Sequence, residues 1–297
     1  MDQPTSDKQK RFLFEQADIR GEVVQLENTF QAAVSGRGFP ERIELLLGEF
    51  LAAASLLAST LKFEGILSIQ ARGEGIVKLL VAECTNQKEL RAVVRLEEDA
   101  DTSNLSGLSF KELIGSNGVI SIIIEPQDGE RYQGIVPVEY PTLAACLEHY
   151  FFQSEQLNTK LWFAADKHRC AGLLIQALPK QLNASSDTNE EYWETVVHLA
   201  STVKDVELLE LGQDQLLYRL FNEFEVRTFD STSVSFNCNC SKERSANALI
   251  SLGEKDVFDL LDEQETITID CQFCLSHYEF TRDDAKILFN KEKHTLH

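Results

Sequence analysis

Four of the seven cysteines of this chain lie in two short stretches near the C-terminus, FNCNCSKERS (residues 236–245) and DCQFCLSHYEF (residues 270–280). One residue separates the first pair, two separate the second pair, and thirty lie between the pairs; the four are Cys238, Cys240, Cys271 and Cys274. This spacing is typical of a metal site, but disulfide staples, catalytic dithiols and switches between such states also use clustered cysteines.

Zinc prefers four tetrahedral ligands, and two close cysteine pairs joined by a longer insert can supply them. The sequence therefore predicts one zinc ion per chain, bound by Cys238, Cys240, Cys271 and Cys274. Metal binding should contribute folding free energy on the order of 10 kcal/mol, so without it this part of the chain should largely unfold. His277 is an alternative ligand, but four sulfurs complete the shell, and we interpret it as a neighbour of the site or a surface residue.

Four thiolates around one zinc ion carry a formal charge of −2, which needs positive potential nearby. A helix that begins after Ser241, together with Lys242 and Arg244, is predicted to provide it. Metal-bound thiolates also stand close to partners with which they can form disulfides, and a purely structural site does not need the tight one-residue spacing of the first pair. That spacing is a first hint of a redox switch.

The chain carries 28 Lys and Arg against 48 Asp and Glu, a formal charge of −20. Such a charge repels a phosphate backbone, and we interpret the densest basic stretch, SDKQKR (residues 6–11), as a short solvated tail, so no nucleic-acid partner is expected. The N-terminus lacks the pattern of a secretory signal, and we find no window of about twenty apolar residues for a membrane span. We therefore expect a cytoplasmic protein that does not bind membranes, in a reducing compartment where clustered cysteines bind metal or do redox chemistry.

Residues 1–178 predict an α+β domain, a sheet covered by helices. Apolar side chains recur at helical spacing over residues 40–61 and again over residues 142–157. Short stretches rich in Val and Ile, separated by Gly or Asn, predict antiparallel strands at residues 65–72, 75–84, 89–98, 118–126, 131–139, 160–165 and 171–178.

The remaining chain divides into a helical linker, residues 179–232, and a small zinc-binding domain, residues 233–297. A polar stretch after Pro179 marks the first boundary. Two amphipathic helices follow, one with an apolar face around Trp193 and one around Leu220, and two such faces are too few to form a core of their own. They must dock on another surface.

The other cysteines and histidines do not predict an enzyme. We interpret Cys84, Cys146 and Cys170 as small core residues, and no histidine stands at a recognisable spacing from a nucleophile. A thioredoxin-type dithiol should precede a helix, whereas the stretch after Cys274 reads as extended, so a thiol oxidoreductase is a poor fit.

Several stretches resemble the redox-regulated holdase chaperone family called heat shock protein thirty-three, over essentially the whole chain. They are CNCSKER (238–244), CQFCLSHYEF (271–280), GERYQG (129–134), TLAACLEHYFFQSEQL (142–157) and LLASTLKFEG (56–65). One departure is Ile76, where members of the family often have Pro; it touches a turn and no functional residue.

The resemblance implies a cytoplasmic chaperone that is inactive when reduced and zinc-bound and is activated by oxidants. It implies that the four cysteines are the zinc ligands and form the disulfides Cys238–Cys240 and Cys271–Cys274 on oxidation. It further implies that residues 179–232 form a metastable linker that unfolds on activation. The active form would be a homodimer that holds unfolding client proteins without ATP.

Two functions from other classes stay open at this point. A static zinc-ribbon module that binds a partner predicts a function unchanged by oxidation. A thiol-disulfide oxidoreductase predicts turnover of a disulfide substrate. Aggregation of an unfolded client in the presence of reduced and of oxidised protein separates all three.

Overall fold

The computed structural model of the chain describes residues 7–61, 64–179 and 186–295, with the side chains of all of these except residues 186–188 and 291–295. Two compact units emerge from the contacts between Cα atoms, Met1–Asn237 and Cys238–His297. The helices of the expected linker lie within the first of these units. The boundaries at residues 178 and 232 stay a prediction.

The first unit combines strands with helices. Its described strands are, in chain order, β1 (Lys8–Phe14), β2 (Ile19–Leu26), β3 (Gly65–Arg72), β4 (Val77–Thr85), β5 (Glu89–Leu96), β6 (Val119–Pro126), β7 (Tyr132–Pro137), β8 (Thr159–Ala165), β9 (Cys170–Ala177), β10 (Val226–Thr228), β11 (Thr232–Ser233) and β12 (Ser235–Phe236). Its described helices are α1 (Asn28–Val34), α2 (Glu41–Thr60), α3 (Phe110–Ile114), α4 (Leu143–Tyr150) with a following π-helical turn (Phe151–Glu155), α5 (Ser186–Ala200), α6 (Asp205–Glu210) and α7 (Gln213–Phe221).

These strands form two sheets. The first has the order β10-β1-β2-β9-β8, with β11 also paired to β1, and the second has the order β12-β5-β4-β3-β6-β7. Neighbouring strands are antiparallel, except that β12 runs parallel to β5. All the strands predicted before Pro179 are present, and the predicted α+β class is confirmed.

Helix α2 packs against strands of both sheets and forms the centre of the unit. Small residues at Ala52, Ala53 and Ala54, all fully buried, allow the strands to approach closely. We expected no window apolar enough to span a membrane, and this expectation is wrong. By length and composition alone this 20-residue helix could do so, with a mean hydropathy of 1.5 over 18 residues. However, 78% of that window is buried inside the protein, as in the core helix of a globular domain.

The basic stretch at residues 6–11 is not a solvated tail, because its residues from 8 onward form β1, between β2 on one side and β10 and β11 on the other. Lys10 is only 9% exposed and Gln9 is buried as well. Their polar groups have partners: Gln9 donates to Glu22 at 2.6 Å, and Lys10 donates to Asp214 at 2.5 Å. These partners offset the cost of burying polar groups, and both lie too far along the chain to be inferred from local composition.

Helices α5 to α7 pack on the face of the first sheet that is opposite α2. Side chains alternate across the sheet, so Leu174 of β9 joins the core around α2 while Leu173 joins the cluster under the helices. The helical residues buried in that cluster are Val196, Ala200, Leu208, Leu209, Leu216, Leu217, Leu220 and Phe221. The Phe221 ring lies 5.1 Å from that of Phe14 and 5.9 Å from that of Phe12. The surface that the amphipathic helices required is this sheet face.

The second unit contains α8 (Lys242–Leu252), α9 (Glu254–Glu263), β13 (Thr266–Asp270), β14 (His277–Thr281) and α10 (Arg282–Thr295). Strands β13 and β14 form an antiparallel hairpin. The buried apolar side chains of its described residues are Ala246, Leu249, Val257, Leu261, Ile267, Phe280, Ala285 and Phe289. So small a core leaves the unit in need of a further cross-link.

Replacement of Phe221 by Ala should destabilise the protein by about 3–5 kcal/mol, because it removes a fully buried ring from the cluster between α7 and the first sheet. Equilibrium unfolding in urea measures the effect. Trp162 and Trp193 both pack against this cluster, so their fluorescence follows it.

Tyr218→Ala on the same helix is the matched control, since Tyr218 is 73% exposed and its loss should change stability by no more than about 0.5 kcal/mol. Equal unfolding midpoints for the two variants would contradict the described docking of α7.

Candidate metal centre

The four clustered cysteines lie on two loops of the second unit. Cys238 and Cys240 immediately precede α8, and Cys271 and Cys274 form the turn that joins β13 to β14. The hairpin is paired up to Asp270 opposite His277, so its last pair holds the turn at one end of the strands. The local fold thus presents one cysteine pair at a helix start and the other at a hairpin tip.

All four sulfur atoms lie within 4.8 Å of one another. Two close approaches run between the pairs, 3.6 Å from Cys238 to Cys271 and 3.3 Å from Cys240 to Cys274. Four sulfurs at about 2.3 Å from a central zinc ion would stand about 3.8 Å apart in a regular tetrahedron. The arrangement and the donor type both fit one tetrahedral zinc ion, so the four cysteines can hold a metal ion.

The turn of the second pair has a backbone conformation that the sequence did not reveal. The Leu275 amide donates to the Cys271 carbonyl at 2.8 Å, and the Cys271 amide donates to the Ser276 carbonyl at 2.9 Å. Leu275 has a φ of 61°, a left-handed conformation that glycine adopts more readily than leucine. These bonds fold the chain back so that both sulfurs of the turn point to the same centre.

The loop of the first pair leads into the N-terminus of α8, as predicted. The Ser241 hydroxyl accepts a hydrogen bond from the Arg244 amide at 3.2 Å, which confirms the predicted cap. The Arg244 guanidinium donates to the carbonyl of Asn239 at 2.8 Å and braces the loop between the two cysteines. The positive end of the helix dipole therefore lies beside Cys240.

Lys242 has partners away from the sulfurs. Its ammonium forms an ion pair with Asp284 at 3.2 Å and lies 5.2 Å from the centre of the Phe280 ring. Asp284 in turn caps the start of α10 together with Thr281, whose amide donates to it at 2.9 Å. Lys242 thus links the starts of α8 and α10, in addition to the electrostatic role that the sequence suggested.

The pKa values of Cys238 and Cys274 are shifted in opposite directions. Burial, together with hydrogen bonds from the neighbouring thiols, raises the pKa of Cys238 to about 12. Burial also acts to raise the pKa of Cys274, but hydrogen bonds with Ser276 and with the neighbouring thiols outweigh it and lower this pKa to about 6. The hydroxyl and amide of Ser276 thus support negative charge at the hairpin turn.

Tyr278 is a neighbour of the centre that sequence reasoning missed. Its hydroxyl donates to the Cys240 sulfur at 3.0 Å. This hydrogen bond, and to a smaller extent burial, raises the pKa of Tyr278 to about 12. The adjacent His277 has its Nδ1 atom 2.5 Å from an Asp270 oxygen and a side chain that is 71% exposed. It lies outside the group of four sulfurs, in agreement with its interpretation as a surface residue.

The three other cysteines are buried in the first unit, which confirms them as core residues. Burial raises the pKa of the Cys84 thiol to about 12 and raises the pKa values of Cys146 and Cys170 as well. Because the thiolate is the reactive form, these three cysteines are protected both from solvent and from oxidants.

Comparison with known proteins identifies the family. Residues 7–281 match the family model described as "Hsp33 protein". The chain is 45% identical over 285 residues to a 33 kDa chaperonin of Pseudomonas paraeruginosa, covering 96% of this chain and 95% of the relative. It is 43% identical over 291 residues to a 33 kDa chaperonin of Pseudomonas fluorescens, covering 97% and 95%.

The fold agrees with that of a solved structure. The crystal structure of a 33 kDa chaperonin from Thermotoga maritima matches with a TM-score of 0.81 and 19% identity, over 97% of this chain and 99% of that one. It supports the predicted combination of a sheet-and-helix domain with a small cysteine-bearing domain. The family match, the similar relatives and the motifs found in the sequence agree, and together they show that the chain is a member of the Hsp33 family of chaperones.

Proposed function

We propose that this protein is a redox-regulated holdase that binds unfolding proteins in the cytoplasm when it is oxidised, prevents their aggregation without ATP, and is inactive when reduced. The observation that carries the proposal is the gathering of four sulfurs within 4.8 Å in a unit with a small core, in a chain of the Hsp33 family. Clients are the proposed partners, and the oxidised form is proposed to be a homodimer. We propose no nucleic-acid or membrane partner.

The ligands of the proposed metal are Cys238, Cys240, Cys271 and Cys274. When bound, zinc holds the four sulfurs as thiolates and cross-links the two loops. The loops meet at the start of α8 and the tip of the β13–β14 hairpin, so this cross-link joins the helical and strand parts of the second unit. Its loss would remove the main support of a unit that has few buried apolar side chains.

Oxidation would take away these ligands. A thiolate attacks peroxide to give a sulfenic acid and hydroxide, and the second thiolate of the pair displaces hydroxide from that sulfur to form the disulfide. A disulfide sulfur is a much poorer ligand than a thiolate, so the two disulfides would leave no strong ligand among the four residues.

The proposed pairing is Cys238–Cys240 and Cys271–Cys274. Disulfides across the pairs would keep the two loops stapled together, whereas disulfides within the pairs leave them unconnected. Once the loops separate, a disulfide within a pair closes a ring over one or two intervening residues, whereas a disulfide across the pairs closes a ring over more than thirty. The smaller ring costs less chain entropy to close. Pairing within the pairs is therefore the outcome that allows the unit to unfold.

The proposed moving part is the segment 179–232. Its helices cover an aromatic sheet face that includes Phe12 and Phe14, and Asn237 alone separates the last strand of the first unit from Cys238. Marginal folding stability of about 5–15 kcal/mol leaves little reserve if support of about 10 kcal/mol is lost next to this segment. Undocking would expose apolar surface on the sheet and on the helices, which is what an unfolding client can bind.

The site does not favour the two alternatives. A catalytic dithiol of the thioredoxin type begins a helix, whereas Cys271 and Cys274 lie in a hairpin turn with an extended strand after them. A static zinc ribbon has no use for the tight Cys238–Cys240 spacing.

The decisive experiment compares reduced, zinc-loaded protein with protein oxidised by peroxide at raised temperature, each added to a chemically unfolded client. Light scattering should fall strongly with the oxidised form at stoichiometric amounts and remain high with the reduced form. Equal suppression by both forms would favour a static binding module, and reduction of a disulfide substrate over many turnovers would favour an oxidoreductase.

Metal analysis of protein purified under reducing conditions should find about one equivalent of zinc per chain, and the oxidised form should retain little. Peptide mapping of the oxidised form should then find Cys238–Cys240 and Cys271–Cys274. The buried Cys84, Cys146 and Cys170 serve as internal controls and should remain thiols. Bridges dominated by these three residues, or a folded second unit with four free thiols and no metal, would refute the assignment.

Hydrogen exchange should locate the moving part. On oxidation, amides of residues 188–224 should lose protection, because the helices undock, while the strands before Pro179 keep theirs. A sample that suppresses client aggregation with unchanged protection in that segment would place the client-binding surface elsewhere.

A further inference from the structure

Two hydroxyl groups reach the sulfur cluster, one from Tyr278 on β14 and one from Ser276 just before that strand. Tyr278 donates to the Cys240 sulfur at 3.0 Å, and the Ser276 hydroxyl oxygen lies 3.2 Å from the Cys274 sulfur. The Tyr278 ring packs against the buried cluster of the second unit, opposite Ile269 in the hairpin register. One cysteine of each sequence pair is thus in contact with a hydroxyl.

These contacts have a chemical consequence for a sulfur that is already a thiolate. A phenol with an ordinary pKa near 10 keeps its proton at neutral pH and donates it toward the negative sulfur. The bond spreads the charge and lowers the basicity of the sulfur, and the rate of thiolate attack falls with basicity with a coefficient of about 0.4–0.5. Since no further thiolate is formed, the hydrogen bond can only slow attack by that sulfur.

We propose that Tyr278 is a positioning residue that sets how readily the centre is oxidised: its hydroxyl orients the Cys240 thiolate and slows its attack on peroxide, and Ser276 has the same effect on Cys274. The inference rests on the proposed function, because it takes the four sulfurs to be metal-bound thiolates. In the step concerned, the Cys240 sulfur bonds to one peroxide oxygen as the O–O bond breaks, and Cys238 then displaces hydroxide. The two sulfurs lose two electrons, and peroxide with two protons from solvent becomes two waters.

Tyr278→Phe tests this, because it keeps the ring and removes only the hydroxyl. Full-length, reduced, zinc-loaded protein is treated with hydrogen peroxide, and released zinc is followed with a chromogenic chelator. Because a hydrogen bond to a charged acceptor is among the stronger ones and attack slows as the sulfur becomes less basic, the variant should release zinc about three- to tenfold faster than wild type. Ser276→Ala should also accelerate release.

Matched controls are Tyr218→Phe, at an exposed tyrosine of α7, and Ser251→Ala in α8, whose hydroxyl donates to the Asn247 carbonyl at 2.9 Å. Both should release zinc at the wild-type rate. Acceleration by the controls equal to that of Tyr278→Phe would overturn the proposal.

Two further readouts separate control of reactivity from simple support of the fold. Zinc release to the chelator without peroxide should be unchanged in Tyr278→Phe. In cobalt-substituted protein, the sulfur-to-cobalt charge-transfer band should move to lower energy, because the thiolate loses a hydrogen bond.

Three results would overturn the inference: a wild-type rate with peroxide, an equal acceleration without peroxide, or an unshifted band. With oxidised wild type still suppressing aggregation, each of these would leave the proposed function intact. A wild-type protein that binds no zinc would overturn both.

Discussion

Four sulfur atoms within 4.8 Å of one another join two loops of a unit whose described core contains eight buried apolar side chains. The loops lie about thirty residues apart in the sequence and meet only because α8 begins where the β13–β14 hairpin turns. Around them, short polar contacts fix each loop separately. Arg244 donates a hydrogen bond to the Asn239 carbonyl in the first loop, and the backbone amides of Cys271 and Leu275 donate hydrogen bonds that close the second. These contacts prepare the two halves of a site, and a cation that accepts four thiolates would join them.

The first unit has a contrasting source of stability. Helix α2 is buried between two sheets, and its core does not depend on any cysteine outside it. The N-terminal strand nevertheless connects this core to the segment before the metal centre, because β1 pairs with both β10 and β11. The carboxylate of Asp7 accepts the backbone amides of residues 27–29 at the start of α1, and the Asp7 carbonyl accepts the Val234 amide at 2.9 Å. Changes near Cys238 therefore have a short backbone route to the edges of both sheets.

The seven thiols form two groups that differ in burial. Three cysteines are buried with raised pKa values, while four lie half-buried at one end of a small unit, where hydroxyls and a helix start support negative charge. Tyr278 lies on β14 and Ser276 immediately precedes that strand, so the hairpin that carries Cys271 and Cys274 also places both hydroxyls beside the sulfurs.

The sequence by itself determined the features that depend on local spacing. Cysteine spacing indicated the four residues of the candidate metal site, and periods of two and 3.6 located the strands of the second sheet and helices such as α2. Ser241 marked a helix start. Each of these patterns is set by neighbours along the chain. Tertiary structure alone decided the rest. Gln9 and Lys10 of β1 are buried because Glu22 and Asp214 approach from distant elements. Helices α5 to α7 pack on one face of the first sheet, and the Tyr278 hydroxyl contacts Cys240 across 38 positions of sequence. Such contacts arise from the meeting of separate elements, and no local period or composition encodes which groups will meet.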